Sequence, residues 1–174
     1  MNQNKLKQPK KIKSTLCYIE QDDRYLMLLR NKKAHDVNEG KWIGIGGKFE
    51  PGESADACLL REVKEETGVT LTDYQFRGII QFVSDQWDDE EMYLYSATGY
   101  EGRIDFNCNE GELRWIPKND LMGLNLWEGD RCFLSPLIDG VENINMTLCY
   151  EGDVLKQVMV ADDVDRLSEN NLNA

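Results

Sequence analysis

Residues 41–69 read KWIGIGGKFEPGESADACLLREVKEETGV, and this stretch decides how the chain is built. Its first half, KWIGIGGKFEPGES (41–54), holds five glycine or proline residues among 14. That composition excludes a regular strand throughout and lets backbone groups approach a ligand closely. Ser54 stands where a helix N-cap belongs, Asp56 suits the positive end of the first turn, and Gly68 is a natural stop. The intervening ADACLLREVKEET predicts a helix with Leu59, Leu60 and Val63 toward the core. Spacings of three and four bring Glu62, Glu65 and Glu66 onto neighbouring turns of one helix face. Like charges so arranged destabilise a helix unless a cation compensates them. An all-oxygen set with no histidine nearby selects Mg²⁺, or Mn²⁺, over zinc. Such an ion binds phosphate oxygens and activates water. The competing reading is an acidic surface helix with a structural role only, which predicts no magnesium binding.

Working outward, STLCYIE (14–20) and RYLMLLR (24–30) read as strands around the turn residues Asp22 and Asp23. The polar segment 31–40 is a loop. YQFRGIIQFVS (74–84) and EMYLYSATGY (91–100) read as strands separated by an acidic loop, and ELRWIP (112–117) as a short strand. Residues 118–140 predict a loop and then a short helix. Residues 143–162 predict a terminal hairpin turning at Glu151-Gly152-Asp153. The organisation expected is a basic arm over 1–13, one domain over 14–162 and a polar tail over 163–174.

A chain of 174 residues fits one domain with a core that needs no disulfides. The five cysteines are widely spaced, odd in number and lack a CxxC pair, which suits reduced thiols in a cytoplasmic protein. No apolar run approaches the length of a membrane span, and the basic N-terminus lacks the apolar stretch of a secretory signal. A net charge of −12 argues against a broad grip on long nucleic acid but not against a small phosphorylated substrate, whose charge a metal can balance locally. A monomer or a homodimer is compatible with all of this.

The full spacing runs Gly47, five residues, Glu53, seven residues, Arg61-Glu62-Val63, one residue, Glu65-Glu66, one residue, Gly68-Val69. These 23 residues resemble the Nudix box at every defining position. From Tyr25 to Glu151 the chain resembles MutT-type 8-oxo-dGTP diphosphatases, notably in EGKWIGIGGKFEPGES, NEGELRWIP and LNLWEGD. The resemblance implies an α/β Nudix fold, an α/β/α sandwich with a mixed β-sheet. It also implies hydrolysis of a nucleoside diphosphate linked to another group, which for this subgroup means an oxidised purine triphosphate cut to monophosphate and pyrophosphate. Carried over by position, Glu62, Glu65 and Glu66 match metal-binding glutamates, one of which can act as the base. Glu53 and Arg61 match the pair that joins loop to helix and shapes the catalytic site. The carbonyl of Gly46 matches a further metal ligand, and Glu110, with Glu112 in reserve, the carboxylate outside the box.

Lys48 and Lys33 are candidate substrate contacts or simply exposed loop lysines. Phe82 lines the pocket or fills it. Trp127 and Asp130 resemble the aromatic and acid that read the base, a tryptophan face being suited to stacking; Trp127 can equally be a core or lid aromatic. Two departures stand out: the human-type enzyme of this group has adjacent aspartates where this chain has Gly129-Asp130, and a base-reading asparagine where it has Ile43. Trp42 is expected under the loop and His35 at the surface. Other nucleotide substrates remain open: ordinary dNTPs, RNA 5′-triphosphate ends or ADP-ribose, the last disfavoured because no proline lies between Pro51 and Pro117. A non-catalytic nucleotide-sensing module is the alternative from another class; it would be expected to lose box glutamates or the arginine, and none is lost.

Overall fold

The computed structural model describes residues 11–161. The expected polar tail and most of the expected arm therefore lie outside the described residues. Strand β1 (Ile12–Gln21) begins two residues before the expected boundary, because Lys13 and Ile12 continue a parallel ladder with the strand Glu90–Glu101 (β6). Alternate residues of β1 face opposite ways. Leu16 and Tyr18 enter one core while Cys17 and Ile19 enter the other. A strand buried on both faces reads as a continuous apolar run, as STLCYIE does.

Asp22 and Asp23 have φ of 52° and 59°, the left-handed pair of a two-residue hairpin turn, and lead into β2 (Arg24–Leu29). β2 is flanked by β3 (Trp42–Ile43) and by β7 (Glu112–Pro117), forming a small antiparallel sheet. The main sheet is mixed, in the order β4 (Ile45–Lys48), β1, β6, β5 (Thr70–Ser84), β8 (Met146–Glu151), β9 (Val154–Val160). Its β1–β6 and β5–β8 pairs are parallel and the rest antiparallel. The terminal hairpin turns where the sequence places it.

Helix α1 (Ala55–Thr67) covers one face and α2 (Glu128–Ile138) the other, with a 3-10 turn (Lys118–Gly123) beside α2. The result is the expected α/β/α sandwich with a mixed sheet. Ser54 caps α1 by accepting from the Ala57 N–H at 3.1 Å, and Gly68 closes it at φ 81°. Leu59 and Val63 are fully buried against Ile19, Leu28 and Ile45, while Leu60 is only partly covered at the margin. The other core gathers Tyr18, Met27, Leu94, Phe133 and Leu148, with Trp42 packed at its edge. All five cysteines are free. Among the described residues no helix is long and apolar enough to cross a membrane.

Truncating Leu59 to Ala should lower stability by about 2–5 kcal/mol, since it opens a cavity between α1 and the sheet. Val158→Ala, on the exposed edge strand β9, should cost less than about 1 kcal/mol. Urea unfolding of both variants measures the contrast.

Candidate active site

The chain leaves β4 at Lys48, crosses the turn Phe49–Glu53 and enters α1, so the glycine loop and the carboxylate helix face each other across one segment. Arg61 joins them. Its Nε and Nη2 donate to the two oxygens of Glu53, each at 2.8 Å, and Nη2 also donates to the Lys48 carbonyl at 3.0 Å. Glu53 in turn accepts from the Glu50 N–H at 3.0 Å. The guanidinium, helped by that N–H, holds the Glu53 carboxyl at about 2, and the carboxylates of Glu53 and then Glu62 raise Arg61 further above its ordinary value. A carboxyl lowered in this way stabilises the fold above its ordinary titration range, and that stability is lost as pH falls through about 2. Arg61 Nη1 reaches Glu62 at 2.7 Å and Glu65 at 3.4 Å.

The three helix glutamates differ sharply in surroundings. Glu66 is 7% exposed, and its one close donor among the described residues is the Gly46 N–H at 3.3 Å. Burial drives its carboxyl well above the usual range, and the charges of Glu110 and Glu62 push the same way. Glu62 is also raised, first by burial, with Arg61 opposing. The Glu65 side chain is 59% exposed, and Glu65 does not line the cleft that Glu62 and Glu66 share. Gly47 has a steric reason to be glycine. A Cβ there would stand 2.4 Å from the Glu62 carboxyl carbon.

Glu110 comes to this group from the segment before β7, whereas Glu112 pairs with Arg114 in the exposed part of β7. Arg30 Nη1 and Lys33 Nζ both bond Glu110, the latter at 2.7 Å, and Arg30 Nε bonds Asp36 at 2.6 Å. Burial pushes the Glu110 carboxyl up, but the Lys33 bond and the two cations outweigh it and leave it lowered. The donors are hard oxygens in a partly buried, negatively charged cluster. By donor type and by charge they fit Mg²⁺ or Mn²⁺. Arg61 pairs with Glu62 and Arg30 with Glu110, and among the described residues no three acidic, histidine or cysteine side chains stand close enough together to enclose an ion.

Arg30, Arg61, Glu62, Glu66 and Glu110 line one cleft of about 810 Å³, with Lys33, Lys48, Phe82, Trp127 and Asp130 also on its walls. Trp127 is not simply a core aromatic. Its Nε1 donates to Asn38 Oδ1 at 2.9 Å, Tyr150 meets it edge-on at 5.8 Å, and Lys41 Nζ lies 4.8 Å above its ring. Gly129 differs from an aspartate for a packing reason. Its N–H donates to the Tyr150 hydroxyl at 2.7 Å, and a Cβ at 129 would stand 2.5 Å from that oxygen. Asp130 is buried, and burial, helped by the Glu90 charge and opposed by Lys41, lifts its carboxyl to about 7. His35 lies on the surface loop, away from the cleft lining.

Sequence reasoning missed Arg30, Asp36, Asn38, Tyr150 and Glu90. Arg30 had a signal, a lone charge ending an apolar strand. Asp36, Asn38 and Glu90 sat inside polar or acidic stretches that read as solvated loop, Tyr150 sat near the end of a hairpin strand with no sign of which face it served, and only the fold brings them to the cleft.

The NUDIX domain family model matches residues 10–136, and the chain belongs to that family of hydrolases, which act on pyrophosphate bonds and generally use divalent metal ions. An uncharacterised Nudix hydrolase of Bacillus subtilis is 30% identical over 140 residues, covering 78% of this chain and 85% of that one. The oxidized purine nucleoside triphosphate hydrolase of Danio rerio is 27% identical over 117 residues, 67% of this chain and 72% of its own length. Among solved structures, the MutT protein of Bacillus halodurans superposes with a TM-score of 0.76 at 27% identity, covering 86% of this chain and 97% of that one.

Gly47→Ala should displace the Glu62 carboxyl and cut kcat/KM for hydrolysis roughly 100-fold; steady-state kinetics on the folded variant tests it. Asp130 gives a pH signature in stability. Its folded pKa of about 7 lies above the ordinary 3.8, so the folded state keeps a proton that the unfolded chain has lost. Stability from this group therefore falls as pH rises from about 4 to 7, at up to about 1.4 kcal/mol per pH unit. Asp130→Asn should remove that slope, so that its stability relative to wild type increases with pH across the window in urea titrations.

Proposed function

We propose that this Nudix hydrolase converts a purine nucleoside triphosphate with an oxidised base, such as 8-oxo-dGTP, to the monophosphate and pyrophosphate, sanitising the nucleotide pool. The observation that carries this reading is that one cleft joins the Glu62, Glu66 and Glu110 carboxylates to Trp127 and the buried Asp130. The first group suits a polyphosphate and the second a base. The similarity to an oxidized purine nucleoside triphosphate hydrolase over most of that protein's length supports it.

Glu62, Glu65, Glu66 and Glu110 with the Gly46 carbonyl would hold the divalent ion. When bound, Mg²⁺ supplies charge neutralisation of the phosphate oxygens and a water of lowered pKa. Arg61, fixed by Glu53, holds the loop and helix in register. Lys33, Lys48 and Arg30 add positive charge along the polyphosphate path, and the indole of Trp127 offers a face for the base. One glutamate takes the proton from the attacking water. The water oxygen bonds to phosphorus in line as the bond to the bridging oxygen breaks. As in other phosphoryl transfers, positioning and electrostatics supply most of the acceleration.

Glu66→Gln should lower kcat by about 10²–10⁴-fold. It should also leave the protein as stable as wild type or more so near neutral pH, because a neutral amide replaces a carboxylate that burial penalises. Calorimetry with Mg²⁺, thermal melting and steady-state kinetics together read this. A folded Glu66→Gln variant with undiminished Mg²⁺-dependent turnover, or a wild type that cuts ADP-ribose but neither 8-oxo-dGTP nor dGTP, overturns the reading.

A further inference from the structure

Glu90 lines the same cleft as Trp127 and Asp130. It opens β6 opposite Ile12 in the parallel ladder with β1. The buried Ser14 donates its hydroxyl to Glu90 Oε1 at 2.5 Å. That bond orients the carboxylate, and among the described residues no donor reaches its other oxygen. Asp130 is 6% exposed, and no donor among the described residues reaches its carboxylate. Among those residues no fully enclosed side-chain nitrogen or oxygen lacks a partner, so the Asp130 oxygens open onto the cleft. A buried acid without a protein partner, facing a cleft, takes its hydrogen bonds from water or from a bound ligand.

We propose that Glu90 and Asp130 form the pair that reads the hydrogen-bonding edge of a guanine-type base, with Glu90 the fixed acceptor. This rests on the nucleoside triphosphate hydrolysis proposed above. A neutral Asp130 donates its O–H to the base carbonyl while Glu90 accepts from the ring N1–H. An ionised Asp130 and Glu90 both accept, one from N1–H and the other from the 2-amino group. Guanine satisfies the pair in both states. Adenine, with one amino group and bare ring nitrogens on that edge, satisfies only the neutral state. So does hypoxanthine, which lacks the 2-amino group. Glu90 and Lys41 are the charged groups that bear on Asp130, with the hydroxyls of Tyr18 and Tyr150 also close, and together with burial they keep both states accessible near neutrality. Glu90 belongs to the acidic run 88–91, which is why its role is hidden in the sequence.

The test is kcat/KM of the whole protein with Mg²⁺ for 8-oxo-dGTP, dGTP, dITP, dATP and dTTP, in wild type, Glu90→Met and Ser14→Ala, with folding checked by circular dichroism. Wild type should favour dGTP over dITP, dATP and dTTP. Glu90→Met keeps the side-chain length but removes the acceptor. It should lower the dGTP-to-dTTP preference by about tenfold or more, with the loss falling on KM more than on kcat. Ser14→Ala should lower the same ratio by a smaller factor. An unchanged ratio in folded Glu90→Met overturns the role of Glu90 while the hydrolase reading stands. Should that variant not fold, an unchanged ratio in Ser14→Ala overturns it instead. A wild type that hydrolyses none of these triphosphates overturns both.

Discussion

Arg61 sits between the glycine loop and the carboxylate helix, and its contacts organise that whole end of the molecule. The two 2.8 Å bonds to Glu53 and the bond to the Lys48 carbonyl lock a turn that has little regular structure of its own to a helix that does. A bidentate Arg–carboxylate pair fixes orientation as well as distance. With the turn locked, Gly47 presses against Glu62 and Gly46 presents its N–H to Glu66. Neither contact would form if the loop were free to drift by an ångström.

The same end of the protein gathers negative charge at a cost to stability. Glu66 is buried beside Glu62 and Glu110, and Arg30, Arg61, Lys33 and the Gly46 N–H oppose the repulsion from the margin. A fold selected for stability alone would have placed an apolar residue at position 66, since that side chain enters the interior. The strained carboxylates make sense as a site that a cation and a polyphosphate complete. Asp130 repeats the pattern beside Trp127 in the same cleft. There a buried acid has no hydrogen-bond partner for its carboxylate among the described residues, and a neighbouring carboxylate raises its pKa further.

The two cores explain how these parts meet. β1 contributes alternate residues to each, so the helix that carries the glutamates and the helix that begins at Trp127 pack on opposite faces of one strand layer. The cleft runs across that layer and draws on both. Its residues come from as far apart in sequence as Ile12 and Gly152, which is why their convergence follows from topology and not from any local motif.

What the chain determined locally was legible. The N-cap at Ser54, the stop at Gly68, the carboxylate stripe, the strand turn at Asp22-Asp23 and the terminal hairpin all depend on neighbours within a few residues, and so does the spacing that places Arg61 against Glu53. Those signals are short-range, and propensity and periodicity record them. The tertiary structure decided the rest. It brought Glu110 and not Glu112 to the buried glutamates, left Glu65 exposed while enclosing Glu66, and set Arg30 against Glu110. It also filled the space at Gly129 with the Tyr150 hydroxyl, and delivered Glu90 to Asp130 through the β1–β6 ladder. Each of these depends on which strands pair and on what is then excluded from water, and neither quantity is written in any single stretch of the sequence.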